Sequence, residues 1–412
     1  MFSSYAVDTG TRFLLKELAH DEVLARARSI LDAGCGTGII GISLAASSPE
    51  SRVVMRDRDI LACAFSERNC WRNGIPATRF DIEGKAADPI AKRAPKHKNN
   101  EERKASLIIA PGLLGEDDPE GPFDLVVSNL PAKAGATLLS SFVGRSASML
   151  LNHGGRLAFV IVNTLAELAD SWCASSGLGL VKKTAGKGHT VFILEKPNEA
   201  SLPPPETSIT AVPGPSEAFL ALYRRSQARR ALGRYSAQVS GFWGLPEFDT
   251  PSFATELALE ALEKASAGSL VREFLISEPG IGLAALWACK SLGPAAIHAM
   301  SRDLLSLRAT QANVEALTGP RPAFRALQSI DRAAVSDASL DAVLWFPDEV
   351  PDYDGIKPDW EFLGRSVKKG GSVVIVSNST IVSRFEKNKP ACMQRLGEKK
   401  TKGFSAFMAR RV

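Results

Sequence analysis

One segment constrains this chain more than any other: Ile30-Leu31-Asp32-Ala33-Gly34-Cys35-Gly36-Thr37-Gly38, followed by the largely apolar run from Ile39 to Ala46. It reads as a short buried strand, a tight glycine turn and the start of a helix. Glycines permit backbone angles that other residues resist, and they let a ligand come close to the main chain. The helix that follows offers free N–H groups and the positive end of its dipole. A second apolar strand, Arg52–Met55, runs out at Asp57. An acid about 20 residues beyond a glycine turn is where a nucleotide-binding sheet holds a ribose. The segment is therefore read as a cofactor loop in an α/β sheet.

Composition agrees with a globular chain. Of the 412 residues 45% are hydrophobic and 23% charged, enough for two domains with their own cores. No apolar run approaches the ~18 residues that cross a bilayer, so no membrane partner is expected. The start, Met1-Phe2-Ser3-Ser4-Tyr5, lacks the basic-then-apolar build of a signal peptide, and the expected compartment is the cytoplasm. Six scattered cysteines form no C-x-x-C pair, and the five histidines show no ligand spacing. Neither a metal nor a disulfide framework is expected. A net charge of +5 tolerates a nucleic-acid partner without demanding one.

The lettering of the loop is D-x-G-x-G-x-G, which resembles the class I S-adenosylmethionine methyltransferases. Upstream, Asp8-Thr9-Gly10-Thr11-Arg12 precedes Phe13, Leu14, Leu15 and Leu18, the spacing of a capped amphipathic helix. A Phe-Ser start followed by D-x-G-T-R-x-L-L resembles the entry to the methyltransferase small domain, a group that includes the ribosomal RNA guanine-N2 methyltransferases. The resemblance implies that Thr11 and Arg12 close over the cofactor; for Arg12 alone, an ordinary capped helix explains the residue as well. It further implies that Asp32, Gly34, Gly36 and Gly38 shape the cofactor pocket and that Asp57 holds the ribose. Asp59 is read as the start of the helix Ile60–Asn73, with Ala62, Phe65 and Trp71 facing inward.

A second motif is the strand Phe123-Asp124-Leu125-Val126-Val127-Ser128 ending in Asn129-Leu130-Pro131-Ala132. It resembles the N-P-P-aromatic motif of methyltransferases acting on exocyclic or amide nitrogen. There the asparagine oxygen and the next carbonyl accept the two amine hydrogens, while proline stiffens the loop. The resemblance assigns Asn129, Leu130 and Pro131 to the catalytic centre. Leu130 replaces a proline at little cost. Ala132 replaces the stacking aromatic, worth roughly 1–3 kcal/mol per base, and so leaves the substrate class open.

Between these motifs, Lys85, Lys92, Arg93, Lys96, Lys98, Arg103 and Lys104 crowd into an insertion read as a solvated loop or a phosphate contact. The stretch Leu107–Ala110 is expected to rejoin the sheet. His189, at the head of the last strand, is read as a packed histidine. Residues 197–215 are rich in proline and read as a linker, and the arginines Arg224, Arg225, Arg229, Arg230 and Arg234 are placed on a helix after it.

Beyond the linker the plan repeats. Gly280 and Gly282 answer Gly36 and Gly38 at an offset of 244 residues, as do Asp303 for Asp59 and Asn313 for Asn69. Asp249-Thr250 answers Asp8-Thr9. Asp341 answers Asp124 at 217, which makes the second copy 27 residues shorter there, close to the size of the basic insertion. The chemistry is absent from this copy: Ile276 stands for Asp32, Glu278 for Gly34, Ser301 for Asp57 and Phe346 for Asn129.

The expected architecture is thus two tandem Rossmann-like, doubly wound α/β domains of class I methyltransferase type, the second degenerate. Residues 1–196 form the cofactor-binding domain, 197–215 the linker and 216–412 the degenerate copy. The resemblance implies an S-adenosylmethionine-dependent N-methyltransferase whose acceptor is a guanine amine of ribosomal RNA. Alternatives are protein-glutamine or small-molecule N-methylation, or a cofactor-binding scaffold that transfers nothing.

Overall fold

The computed structural model describes residues 7–88, 107–198, 217–330, 335–347 and 354–412. The chain divides into two compact units, Met1–Tyr223 and Arg224–Val412.

The first unit is built on eight strands: β1 (Ser29–Ala33), β2 (Arg52–Asp57), β3 (Ala77–Arg79), β4 (Leu107–Pro111), β5 (Phe123–Asn129), β6 (Leu151–Val162), β7 (Gly179–Ala185) and β8 (His189–Glu195). Their order in the sheet is β3-β4-β2-β1-β5-β6-β8-β7. Strand β8 runs antiparallel to β6 and β7, and the other pairings are parallel. The order reverses at β1, between β2 and β5, which is the crevice where open α/β sheets bind ligands.

Apolar residues on successive positions of the central strands point to opposite faces, so each face carries its own core. Ile30, Val53, Leu125 and Val127 pack with Leu14, Ile40 and Cys63 on one side. Leu31, Val54, Val126 and Phe159 pack with Phe142 and Trp172 on the other. The helix Ile60–Arg72 opens at Asp59, whose carboxylate accepts from Leu61 N, so Asp59 caps it as expected. Its buried stripe runs through Cys63, Ser66, Glu67 and Cys70; Phe65 and Trp71, expected inside, are half-exposed. Glu67 turns inward because it neutralises the buried Arg79 at 2.8 Å.

Leu107–Pro111 does rejoin the sheet, inserted between β2 and β3. Of the basic insertion, Lys92, Arg93, Lys96, Lys98, Arg103 and Lys104 lie outside the described residues, as does nearly all of the expected linker. The short helix Glu217–Ala221 and Tyr223, assigned by the sequence to the second domain, belong to the first unit. They are held there by Tyr223 Oη donating to the Leu114 carbonyl and by the Arg145 guanidinium over the Phe219 ring.

The second unit begins with a hairpin, β9 (Arg224–Leu232) and β10 (Tyr235–Phe242), where the sequence led us to expect an arginine-bearing helix. The alternation of exposure along β9 and the positive φ of Gly233 at the turn account for the difference. Strands β11 (Glu273–Ser277), β12 (Ala296–Ser301), β13 (Ala323–Gln328), β14 (Leu340–Trp345), β15 (Val367–Asn378), β16 (Met393–Thr401) and β17 (Phe404–Arg411) follow. They form a sheet of order β13-β12-β11-β14-β15-β17-β16, the first unit's order without its extra edge strand.

The repeat holds at the level of register. Asp32 pairs with Met55 and Val127 in the first sheet; Ile276 pairs with Ala299 and Leu344 in the second. One expected match fails. The first helix of the second unit, Phe253–Ala265, is capped by Ser252, not by Asp249. Ser252 is the counterpart of Asp8, since either oxygen accepts from the N–H three residues on.

Candidate active site

The carboxyl ends of β1, β2 and β5 converge on the glycine loop. Gly34, Gly36 and Gly38 have φ of 78°, 56° and 82°, all in the left-handed region. Gly34 N and Cys35 N donate to the Arg56 carbonyl at 2.8 and 2.9 Å, which ties the loop to the end of β2. A Cβ on Gly34 or Gly36 would meet no atom of the described residues within 4 Å, so both face open space there, whereas one on Gly38 would sit 2.9 Å from Ser66 Oγ. The first two glycines form a cradle that a side chain would fill; the third serves packing.

Asp57 stands at the rim of this cradle. Its Oδ2 accepts from Gly36 N and its Oδ1 from Asp59 N, both at 2.9 Å. Burial raises its pKa above the usual carboxylate range, against the pull of those two N–H groups. Asp32 is fully buried beneath the loop, with Oδ2 accepting from Gly41 N at 2.8 Å and Oδ1 without a partner among the described residues. Burial pushes its pKa up to about 7, opposed by the Gly41 N–H and reinforced by the charge of Asp57.

Asn129 closes the constellation from β5. Its Nδ2 donates to Asp8 Oδ2 at 2.9 Å and to Thr11 Oγ1 at 3.0 Å. Leu130 N donates to the Val160 carbonyl at 3.0 Å and its side chain is buried. Pro131 is exposed and leads into a single 3-10 turn, Ala132–Ala134. The structure therefore joins Thr11 to Asn129 and Gly36 to Asp57. Arg12 is exposed, and among the described residues no side-chain hydrogen bond carries it to these groups. The His189 ring lies against Gly10, whose Cβ would come within 3.0 Å of it, in keeping with a packed histidine.

Asp8 was visible in the sequence as a cap but not as a partner of Asn129. Its position just ahead of Thr11 was the available signal, yet the contact spans 121 residues. Among the described residues no group of three or more His, Cys, Asp or Glu is arranged to hold a metal.

The second unit keeps the scaffold of this site without its opening. Asn313 Nδ2 donates to the Ile281 carbonyl as Asn69 Nδ2 donates to Thr37. Glu278 occupies the turn with φ of 44°, and a Cβ on Gly280 would meet Glu247 and Pro246 at 3.8 Å.

Sheet order and glycine cradle define the first unit as a Rossmann-like, doubly wound α/β domain. Residues 1–92 match the family model described as methyltransferase small domain. The chain is 30% identical over 162 residues to a ribosomal RNA large subunit methyltransferase G of Streptomyces griseus, covering 38% of this chain and 34% of that protein. It is 36% identical over 90 residues to a ribosomal RNA small subunit methyltransferase C of Pseudomonas fluorescens, covering 22% and 26%. The chain thus matches about a third or less of the length of these curated relatives. A solved T. thermophilus 16S rRNA N2 methyltransferase, in complex with AdoMet and guanosine, superposes over 98% of this chain and 92% of its own with a TM-score of 0.61. At 19% identity that likeness establishes the tandem fold alone.

Proposed function

We propose that the chain is an S-adenosylmethionine-dependent N-methyltransferase whose acceptor is the exocyclic amine of guanine in ribosomal RNA. The observation that carries this reading is Asn129, held at the exit of β5 beside the glycine cradle with its amide nitrogen already engaged. The names of the relatives supply the substrate class.

The residues present fit the cofactor. Gly34 and Gly36 leave room for it against the main chain, and the carboxylate of Asp57 retains lone pairs for ribose hydroxyls beyond the two N–H groups it accepts. When bound, S-adenosylmethionine offers a methyl carbon to the amine lone pair, and the carbon–sulfur bond breaks with its electrons staying on sulfur. The chain's own task is alignment. Asn129 Oδ1 and the Leu130 carbonyl accept the two amine hydrogens, which turns the nitrogen lone pair toward the cradle. The extra proton then leaves the methylated amine for solvent. Pro131 fixes the loop that aims both acceptors.

In the second unit Arg224 and Arg229 are exposed on β9, and among the described residues neither faces a carboxylate. They offer a polyanion a phosphate-contacting face.

Incubation with tritiated S-adenosylmethionine and deproteinised ribosomal RNA, followed by nucleoside analysis, tests the reading. N2-methylguanosine is the expected product. Label on protein glutamine, or no label on any acceptor, would reject it.

A further inference from the structure

The amide of Asn129 is held from one end. Its two N–H bonds go to Asp8 Oδ2 and Thr11 Oγ1, which uses both donors of the group. An ionised carboxylate only accepts, so the Asp8 contact fixes which end of the amide faces it: the nitrogen, not the oxygen. Among the described residues no donor engages Oδ1. The Asp8 carboxylate is itself located by accepting from Thr11 N at 3.1 Å, as the cap of the helix Thr9–Leu18. Gly10 permits the crowding here, since a Cβ there would lie 2.9 Å from Asp8 Oδ2.

We propose that Asp8, assisted by Thr11, is a positioning residue that locks the Asn129 amide with Oδ1 turned toward the acceptor amine. A released amide rotates, and in the flipped orientation it presents two donors to an amine that needs an acceptor. The helix cap at the start of the chain is thereby part of the device that orients substrate at the end of β5. The proposal rests on Asn129 being the residue that holds the acceptor, and it concerns a residue that acts through Asn129 without touching substrate.

Asp8→Ala removes both the cap and the clamp. Asp8→Ser separates them, because serine caps a helix as well as aspartate does but carries a shorter hydroxyl in place of the carboxylate that holds Asn129. Two readouts are taken on the full chain. The first is methyl transfer to ribosomal RNA together with titration of S-adenosylhomocysteine. Asp8→Ser is expected to lower kcat roughly a hundredfold, the scale of a misplaced positioning group, with S-adenosylhomocysteine affinity retained. The second is solvent exchange of side-chain amides in protein labelled with 15N-asparagine, the Asn129 signal being assigned by its loss in Asn129→Asp. Exchange at that amide is expected to be slow in the wild type and fast in Asp8→Ser. Wild-type kcat in Asp8→Ser, or unchanged exchange, overturns the clamp. If the wild type transfers no methyl to RNA, the functional reading fails and the exchange measurement still decides the clamp.

Discussion

In the second unit Ser301 Oγ donates to Glu278 Oε2 at 2.9 Å, across the place where Gly36 N donates to Asp57 Oδ2 in the first. Two substitutions at matched positions place a side-chain bridge where the first unit has a main-chain cradle and a rim carboxylate. Pro246 and Glu247 then cover the remaining glycine. Calorimetric titration with S-adenosylhomocysteine should therefore give one site per chain. Asp57→Ala should abolish that site, while Glu278→Gly should not create another, because the covering segment stays in place. Two sites in the wild type would mean that the second cleft opens.

Asn129→Ala should separate binding from transfer. The side chain lies on β5, away from the glycine loop's own hydrogen bonds, so S-adenosylhomocysteine affinity should change little. Transfer to ribosomal RNA should fall by about 10²–10³-fold, the range seen when one oriented polar group is removed from beside the reacting atoms. Transfer at the wild-type rate would remove Asn129 from the mechanism.

The Asp32 carboxyl sets a pH dependence of stability. Burial raises its folded pKa to about 7, above an unfolded value of about 3.9. Its contribution is therefore full below pH ~4, where both states hold the proton, and is lost as pH rises through ~7. Asp32→Asn removes this titration. In urea unfolding of the ligand-free protein, the stability of wild type relative to the variant should fall by about 3 kcal/mol between pH 5 and pH 8. A difference that stays flat would show that the folded state already carries Asp32 ionised near pH 5.

The exposed arginines of β9 make a salt-dependent prediction. Replacing Arg224 and Arg229 by glutamine should reduce the slope of log affinity against log salt by about 0.7–0.9 for each phosphate that the protein no longer neutralises. Arg225 is a weaker choice for this test, because it already pairs with Asp249 and stacks on Phe248. Titration of ribosomal RNA against wild type and the double variant over a series of salt concentrations measures the change. An unchanged slope would leave the hairpin as a solvated surface.

What could be read from the sequence was local chemistry. The glycine loop, Asp57, Asp59 as a cap and the strand before Asn129 each follow from residues within one turn of each other. The repeat was legible because both copies keep the same register. The arginine segment was misread because a run of like charges hides a period of two, and only the burial of Leu232 and half-burial of Ser226, Ala228 and Arg230 reveal it. The Asp249 match failed for a similar reason: an Asp-Thr pair looks like a cap wherever it falls, and Ser252 holds the position that the helix uses. The Asp8–Asn129 contact was out of reach, since it depends on where the first helix packs over the sheet.

A matched pair of glycines tests whether the cradle binds through open space or only through its backbone shape. Gly36 and Gly268 both have positive φ, 56° and 72°, and a Cβ on either would meet nothing among the described residues within 4 Å. Alanine at either position should cost about 1–2 kcal/mol in backbone strain. At Gly268, in a loop of the second unit, that is the whole effect, and S-adenosylhomocysteine affinity should stay at the wild-type value. At Gly36 the added methyl enters the space left for the ligand, and affinity should drop by more than the strain explains. Urea unfolding of both variants, read beside their titrations, separates the two contributions. Equal affinity in Gly36→Ala and Gly268→Ala would mean that the ligand does not lie over Gly36, and the cradle would have to be placed elsewhere on the sheet edge.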